Sequence, residues 1–251
     1  MAQYCMVIDL QKCVGCGACG IACKTENNTS DRKNGQTFNW ADFMIRMEGK
    51  FPDVNFAAIP VLCNHCSNAA CVEACPVTPK AMFKTADGIT MHNDERCIGC
   101  RSCQIACPYS SEDIAAEKAE YSVISFNFDG EDVHSAYTSK VAVIPGGTAT
   151  GEETAKKTGG LPPYKTEYSH PEYEAVRRAG VTEKCYLCHH RLMVNEKPWC
   201  VKSCPSGARV VGDKNDPNSE VSKLLTKYPS MVLKPEEGTQ PNVYYIRKFK
   251  V

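Results

Sequence analysis

The chain has 251 residues, 29 basic side chains against 29 acidic ones, and fewer than a fifth of its positions taken by Leu, Ile, Val and Phe. That balance, with no Lys/Arg-rich patch interleaved with aromatics, argues against nucleic acid as the partner, and no stretch approaches the roughly 18 apolar residues of a membrane span. Seventeen cysteines stand where a larger organic core would otherwise be expected, so bound metal is expected to supplement the packing.

Residues 3–9 (QYCMVID) alternate well enough for a first strand. It leads into a loop carrying Cys13, Cys16, Cys19 and Cys23, where Gly15, Gly17 and Gly20 permit tight turns. Short helices are predicted after each such loop, near 18–25, 68–74 and 102–106. The second group is Cys63, Cys66, Cys71 and Cys75, followed by AMFKT (81–85), ADG (86–88) and ITMH (89–92), which read as strand, turn and strand. Cys97, Cys100, Cys103 and Cys107 form the third. From about residue 111 to 181 the repeat is interrupted. There YSVISFNF (121–128) reads as a strand, PGGTATGEETAKKTGGLPP (145–163) as a surface loop with Glu152 and Glu153 solvated, and PEYEAVRRAG (171–180) as a helix closed by Gly180. The fourth group is Cys185, Cys188, Cys200 and Cys204. The tail then offers a strand at ARVVG (208–212), a helix near 218–227 and a last strand at VYYIRKF (243–249).

The first and third groups read C-x2-C-x2-C-x3-C, the ligand run of a cubane [4Fe–4S] cluster, and the other two widen one gap. Zinc sites take two separated pairs, which a run of three cysteines does not supply. The cysteine density is too low, and the chain too long, for a disulfide scaffold. Four clusters with their thiolates would bring the holoprotein to a net charge of about −8. In two-cluster ferredoxins the fourth cysteine of a run ligates the neighbouring cluster. Carried over to this chain, Cys13, Cys16 and Cys19 are completed by Cys204; Cys185, Cys188 and Cys200 by Cys23; Cys63, Cys66 and Cys71 by Cys107; and Cys97, Cys100 and Cys103 by Cys75. The expected fold is α+β, two bacterial ferredoxin-like modules of two clusters each. Residues 1–62 with 182–251 form the outer module, 63–110 the central one and 111–181 an inserted region.

Around these groups the sequence suggests supporting roles. Cys5 reads as a buried free thiol. His65 and His189, beside ligand cysteines, are candidate hydrogen-bond donors to cluster sulfur, with simple packing as the alternative. His92, His134 and His170 have no partner visible in sequence. Trp199 reads as a solvent shield for Cys200. Lys12, Lys24, Arg96 and Arg101 flank the runs, either offsetting cluster charge or merely solvated. No dinucleotide fingerprint, phosphate loop or nucleophile elbow is present, so no catalytic residue is assigned.

The segments YCMVIDLQKCVGCGACGIACKTENN (4–28), IPVLCNHCSNAACVEACP (59–76), ERCIGCRSCQIACP (95–108), VTEKCYLCHHRL (181–192) and KPEEGTQPNVYYI (234–246) resemble the four-cluster iron–sulfur subunit of molybdopterin oxidoreductases of the dimethyl sulfoxide reductase family. The opening is most similar to small subunits of arsenate, polysulfide or thiosulfate reductases. The tail resembles the transhydroxylase and catechol dehydroxylase branch, whose small subunits can lose a cluster; the full cysteine set departs from that. The resemblance implies the cysteine pairing above. It also implies an electron wire on a large catalytic subunit holding molybdenum or tungsten bis-pterin guanine dinucleotide, with a membrane anchor or soluble carrier as further partner. The alternative is a free-standing polyferredoxin, or a subunit of a hydrogenase or formate dehydrogenase complex. The amino terminus shows no export signal, pointing to the cytoplasm, or to the periplasm by co-export with a signal-bearing partner.

Overall fold

Period-two alternation in the first strand, β1 (Tyr4–Asp9), determines how the two chain ends come together. The computed structural model describes residues 1–27, 29–30, 32, 34–110, 121–128, 139–142, 144–158 and 179–248. Met6 and Ile8 face the main core, while Cys5 and Val7 face a smaller one shared with Val221 and Ile246. A strand apolar on both faces needs cover on both. The tail supplies it through β8 (Arg209–Asp213), α7 (Glu220–Lys227), β9 (Ser230–Met231) and β10 (Val243–Ile246). The sheet order is β8-β1-β10-β9. Strand β1 runs antiparallel to β8, with Met6 opposite Val211, and parallel to β10, with Met6 opposite Val243. Helix α7 starts at Ser219, whose hydroxyl accepts from the Ser222 amide at 3.2 Å, and it lays Val221, Leu224 and Leu225 on the smaller core.

Between those ends lie short elements. Helices α1 (Ala18–Asn27), α2 (Ala70–Glu73) and α3 (Ser102–Ala106) follow the first three cysteine loops, as expected. Strands β4 (Met82–Lys84) and β5 (Thr90–His92) make the expected hairpin, Phe83 opposite Met91. The fourth group is carried by the loop after β7 (Thr182–Lys184) and by α5 (His189–Leu192) and α6 (Trp199–Lys202). Helix α6 packs on both α1 and β8. The described architecture is thus mixed helix and strand in small sheets.

Two departures from the sequence reading have physical causes. Residues 41–62 form a long ribbon, β2 (Ala41–Lys50) with β3 (Asp53–Leu62), paired from Ala41–Leu62 to Lys50–Asp53. Its root is buried, but Met47, Phe51 and Phe56 are exposed towards the tip, so no buried face marked it. The expected loop at 145–163 instead contains helix α4 (Gly151–Thr158). Its start is a reciprocal cap: the Glu153 amide donates to Thr150 Oγ1 at 3.1 Å, and the Thr150 amide to Glu153 Oε2 at 2.8 Å. Glu152 pairs with Lys156 at 2.9 Å one turn on, so neither carboxylate is merely solvated. The strand expected at 121–128 shortens to β6 (Ile124–Phe126), paired with β7. The helix expected at 171–180 falls outside the described residues up to 178, as do His134 and His170; residues 179–180 are a turn. Among the described residues no helix is long and apolar enough to cross a membrane.

Candidate metal centres

Each cysteine loop bends through left-handed backbone, at Gly15 and Gly17, at His65, at Gly99 and Arg101, and at Leu187 and Cys188. In the third loop Gly99 sits at φ 71°, and a Cβ there would come within 2.2 Å of the Gly180 carbonyl oxygen, so only glycine fits. Its amide donates to Cys97 Sγ at 3.4 Å. Comparable donors reach other thiols: Leu187 N to Cys185 at 3.3 Å, Ala208 N to Cys204 at 3.3 Å, and Asn27 Nδ2 to Cys23 at 3.4 Å.

Two groups of four thiols each share a cavity wall, and other thiols are electrostatic neighbours across the sequence. Cys75, Cys97, Cys100 and Cys103 line one cavity, with Met82, His92 and Thr182 in its wall. Cys63, Cys66, Cys71 and Cys107 line another, beside Tyr109 and Lys184. Cys23 lies within electrostatic reach of Cys185, Cys188 and Cys200, and Cys13 of Cys19 and Cys204. Electrostatic influence also runs between thiols of different groupings: Cys19 on Cys200, Cys63 on Cys185, and Cys103 on Cys71. Cys16 and Cys100 are exposed, whereas Cys23, Cys185, Cys188 and Cys200 are all buried.

No disulfide links any of the seventeen cysteines. Burial pushes the Cys185 and Cys107 thiols up to about 12 and Cys103 to about 11. Burial also opposes ionisation at Cys97, yet a hydrogen bond and charge from His92 pull that thiol down to about 7. Thiols this hard to ionise become ligands only when iron supplies the compensating charge, so loading releases protons. A second observation supports the fit. Arg209 is buried with its Nη2 lacking any hydrogen-bond partner among the described residues, and the groups acting on it are Cys19, Cys200, Tyr245 and Cys13. A buried guanidinium among neutral thiols is strongly unfavourable; among anionic thiolate clusters it is compensated.

The residues around the thiols answer the sequence reading one by one. His65 is buried and accepts from the Thr90 amide at Nδ1 (3.2 Å), so its proton rests on Nε2, which has no partner among the described residues. Burial, with Lys184 and Lys84 nearby, holds this imidazole neutral. His189 turns Nε2 to Asp87 at 3.2 Å. Trp199 is half-buried under the Arg191 guanidinium, 4.4 Å from the ring centroid. Cys5 is buried in the smaller core, its thiol raised by burial to about 12. Lys24 donates to the Ser30 carbonyl at 2.6 Å, while Arg101 bonds Gln104 at 2.8 Å and stacks on Phe126 and Phe128.

Sequence reasoning missed the polar groups closest to the thiols. His92 bonds Asp94 at 2.9 Å and Thr182 Oγ1 at 3.2 Å, and that hydroxyl sits 3.7 Å from Cys103 Sγ. Burial alone would lower His92, but Asp94 and Cys97 raise it to about 9. Lys184 is buried beside Cys185, and Arg209 opens β8. The available signal was position alone: Lys184 directly precedes the first cysteine of the fourth group, and Arg209 follows that group by five residues.

Cysteine runs of this spacing, with thiols gathered around buried cations, define a ferredoxin-like iron–sulfur protein. A family model described as a 4Fe-4S dicluster domain matches residues 54–150 and 147–214. Over 250 residues the chain is 45% identical to the arsenate respiratory reductase iron-sulfur subunit ArrB of Shewanella sp. (strain ANA-3), covering 98% of this chain and 97% of that protein. It is 34% identical over 245 residues to the selenate reductase B subunit of Mesobacillus selenatarsenatis, and 32% over 246 residues to the tetrathionate reductase B subunit of Salmonella typhimurium (strain LT2). Each match covers 97% of this chain and 72% of the relative. The chain belongs to the iron–sulfur subunits of molybdopterin oxidoreductases, built on 4Fe-4S dicluster domains. It is an electron-transfer subunit that binds multiple [4Fe–4S] clusters, and its relatives are subunits of oxidoreductase complexes.

Proposed function

We propose that this chain is the electron relay of a respiratory arsenate reductase, passing single electrons through four [4Fe–4S] clusters to a separate catalytic subunit that carries molybdenum bis-pterin guanine dinucleotide. The observation carrying the substrate is the 45% identity to an arsenate respiratory reductase subunit over nearly the full length of both chains. Selenate and tetrathionate relatives stand at 34% and 32%.

The ligand sets we infer are Cys13, Cys16, Cys19 and Cys204; Cys23, Cys185, Cys188 and Cys200; Cys63, Cys66, Cys71 and Cys107; and Cys75, Cys97, Cys100 and Cys103. Two cavities each lined by one such set support them, as do the electrostatic neighbours of Cys13 and Cys23. The thiol neighbours between sets favour a single file in the order just given. On this reading the two chain ends form the outer two-cluster module, residues 63–110 form the central one, and 111–181 is an insertion.

When bound, each cluster supplies a one-electron carrier. The chain's own residues hold the cubes, bury the thiols of the Cys23 set and donate N–H bonds to cysteine sulfurs, which tunes potential. The test is anaerobic purification of the tagged chain with whatever accompanies it. A large molybdenum-containing subunit, and bleaching of reduced-cluster paramagnetic resonance on adding arsenate, are expected. Purification without molybdenum, or bleaching by selenate or tetrathionate but not arsenate, overturns the proposal.

A further inference from the structure

Two buried cations stand between the thiol sets, and neither is matched by a carboxylate in the described structure. Arg209 lies at the junction of β8, α1 and α6; α1 carries Cys19 and Cys23, and α6 carries Cys200. Its side chain is buried, Nη1 reaches only the Met6 sulfur at 3.9 Å, and the guanidinium rests against Cys200. Lys184, fully buried at the end of β7, donates to the carbonyls of Thr90 and Cys185, each at 2.6 Å. It lines the Cys63 cavity while directly preceding Cys185, a member of the neighbouring set. Carbonyl dipoles orient an ammonium without cancelling its charge, so both cations are left to be balanced by something anionic on either side.

We propose that Arg209 and Lys184 are shared counter-cations of the wire: Arg209 sits between the Cys13 and Cys23 clusters, Lys184 between the Cys23 and Cys63 clusters, and each raises the potentials of both its neighbours together. The inference rests on the ligand sets proposed above. The physics is simple. A cluster gains one negative charge on reduction, so a fixed cation nearby in a low-dielectric interior favours the reduced form. The Cys23 cluster, flanked by both cations, is the one either substitution moves. The Cys97 cluster lies beyond both and has the His92–Thr182 pair in its wall instead.

The test is a potentiometric titration of the intact complex, each cluster followed by its paramagnetic resonance signal. C16S and C100S first assign the signals of the two end clusters, so that a wrong ligand set shows itself as a wrong assignment. Arg209→Met is expected to shift two of the four midpoints negative, and Lys184→Met to shift two, with one signal common to both. Arg209→Lys and Lys184→Arg should leave the midpoints near the parent values. With the assignment intact, unchanged midpoints in either Met variant overturn the inference, and so does an equal shift of all four, which marks general loosening. If R209M does not load with iron, R209K decides: loading with parental midpoints supports the shared cation, while failure of that variant too assigns Arg209 a packing role.

Discussion

The runs at 13–23 and 97–107 share one spacing, and their second cysteines, Cys16 and Cys100, are exposed. Each also shows an aliphatic side chain to solvent just after its first cysteine, Val14 at 71% and Ile98 at 66% exposure. Two residues before its last cysteine each run repeats this with Ile21 and Ile105, both exposed. The other two groups place Asn64 and Tyr186 after their first cysteines, at 1% and 3%. One ligand scheme therefore sits in two environments. The outer pair offers apolar collars around reachable sulfur, suited to contact with partners. The inner pair leaves no thiol exposed, with the Cys23 set wholly buried and the Cys63 set half-buried, and it lies among Arg209, Lys184 and buried histidine.

If the inner clusters form part of the core, removing iron should cost more than function. Anaerobic chelation to an iron-free state is expected to abolish the near-ultraviolet circular dichroism, because thiols, Arg209 and Lys184 would be left buried without compensation. Native-like tertiary dichroism in iron-free protein would break the comparison at its root. The next largest effect separates inner from outer ligands. C185S should prevent folded protein from accumulating, whereas C16S should perturb one cluster signal and leave three. Comparable yields from the two variants would show that depth does not matter.

Much of this contrast can be read in the sequence, but only where chemistry forces spacing. The C-x2-C rhythm dictates thiol convergence, whereas the alternation at residues 3–9 marks a strand without showing that both its faces are buried. The ribbon at 41–62 left no such trace, since its apolar residues Met47, Phe51 and Phe56 face solvent and follow no core period. Helix α4 was hidden by a composition of Gly, Thr and Lys, although Thr150 and Glu153 form a cap that the pattern T-x-x-E announces. Arg209 was invisible for a different reason. An arginine in ARVVG looks like an ordinary strand residue until the fold closes α1 and α6 over it.

A smaller effect should follow from unclamping the inner pair. Glu26 on α1 receives Arg191 Nε at 2.5 Å and Nη2 at 2.8 Å, with His190 Nε2 at 2.8 Å, tying α5 and Cys188 to α1. Burial works against this carboxylate, yet His190 and Arg191 hold it down to about 2. E26Q removes a bidentate, nearly buried pair and is expected to cost about 3 kcal/mol, read from the urea midpoint of tertiary dichroism at pH 7. The folded carboxylate is depressed below its usual 4.5, so its contribution is whole above about pH 4.5 and fades as pH falls towards 2. E26Q should therefore flatten the acid limb of the parent's stability curve in that window. An unchanged limb would show that the clamp is idle.

The least disruptive changes bear on the outer pair. V14D and I105D place a charge on exposed collar positions, so stability should move by no more than about 0.5 kcal/mol and all cluster spectra should persist. Each should instead disturb contact at its own end. A desolvated charge at a docking face worth about 1.4 kcal/mol weakens association tenfold, so electron delivery to the catalytic subunit should fall in one variant and acceptance from the donor in the other. Stopped-flow reduction by the donor and oxidation by substrate separate the two half-reactions. On the proposed single-file order, a collar at one end has no direct route to the other. If both variants slow the same half-reaction alike, or neither is slowed, the exposed collars are not two distinct ports and the contrast between outer and inner clusters reduces to burial alone.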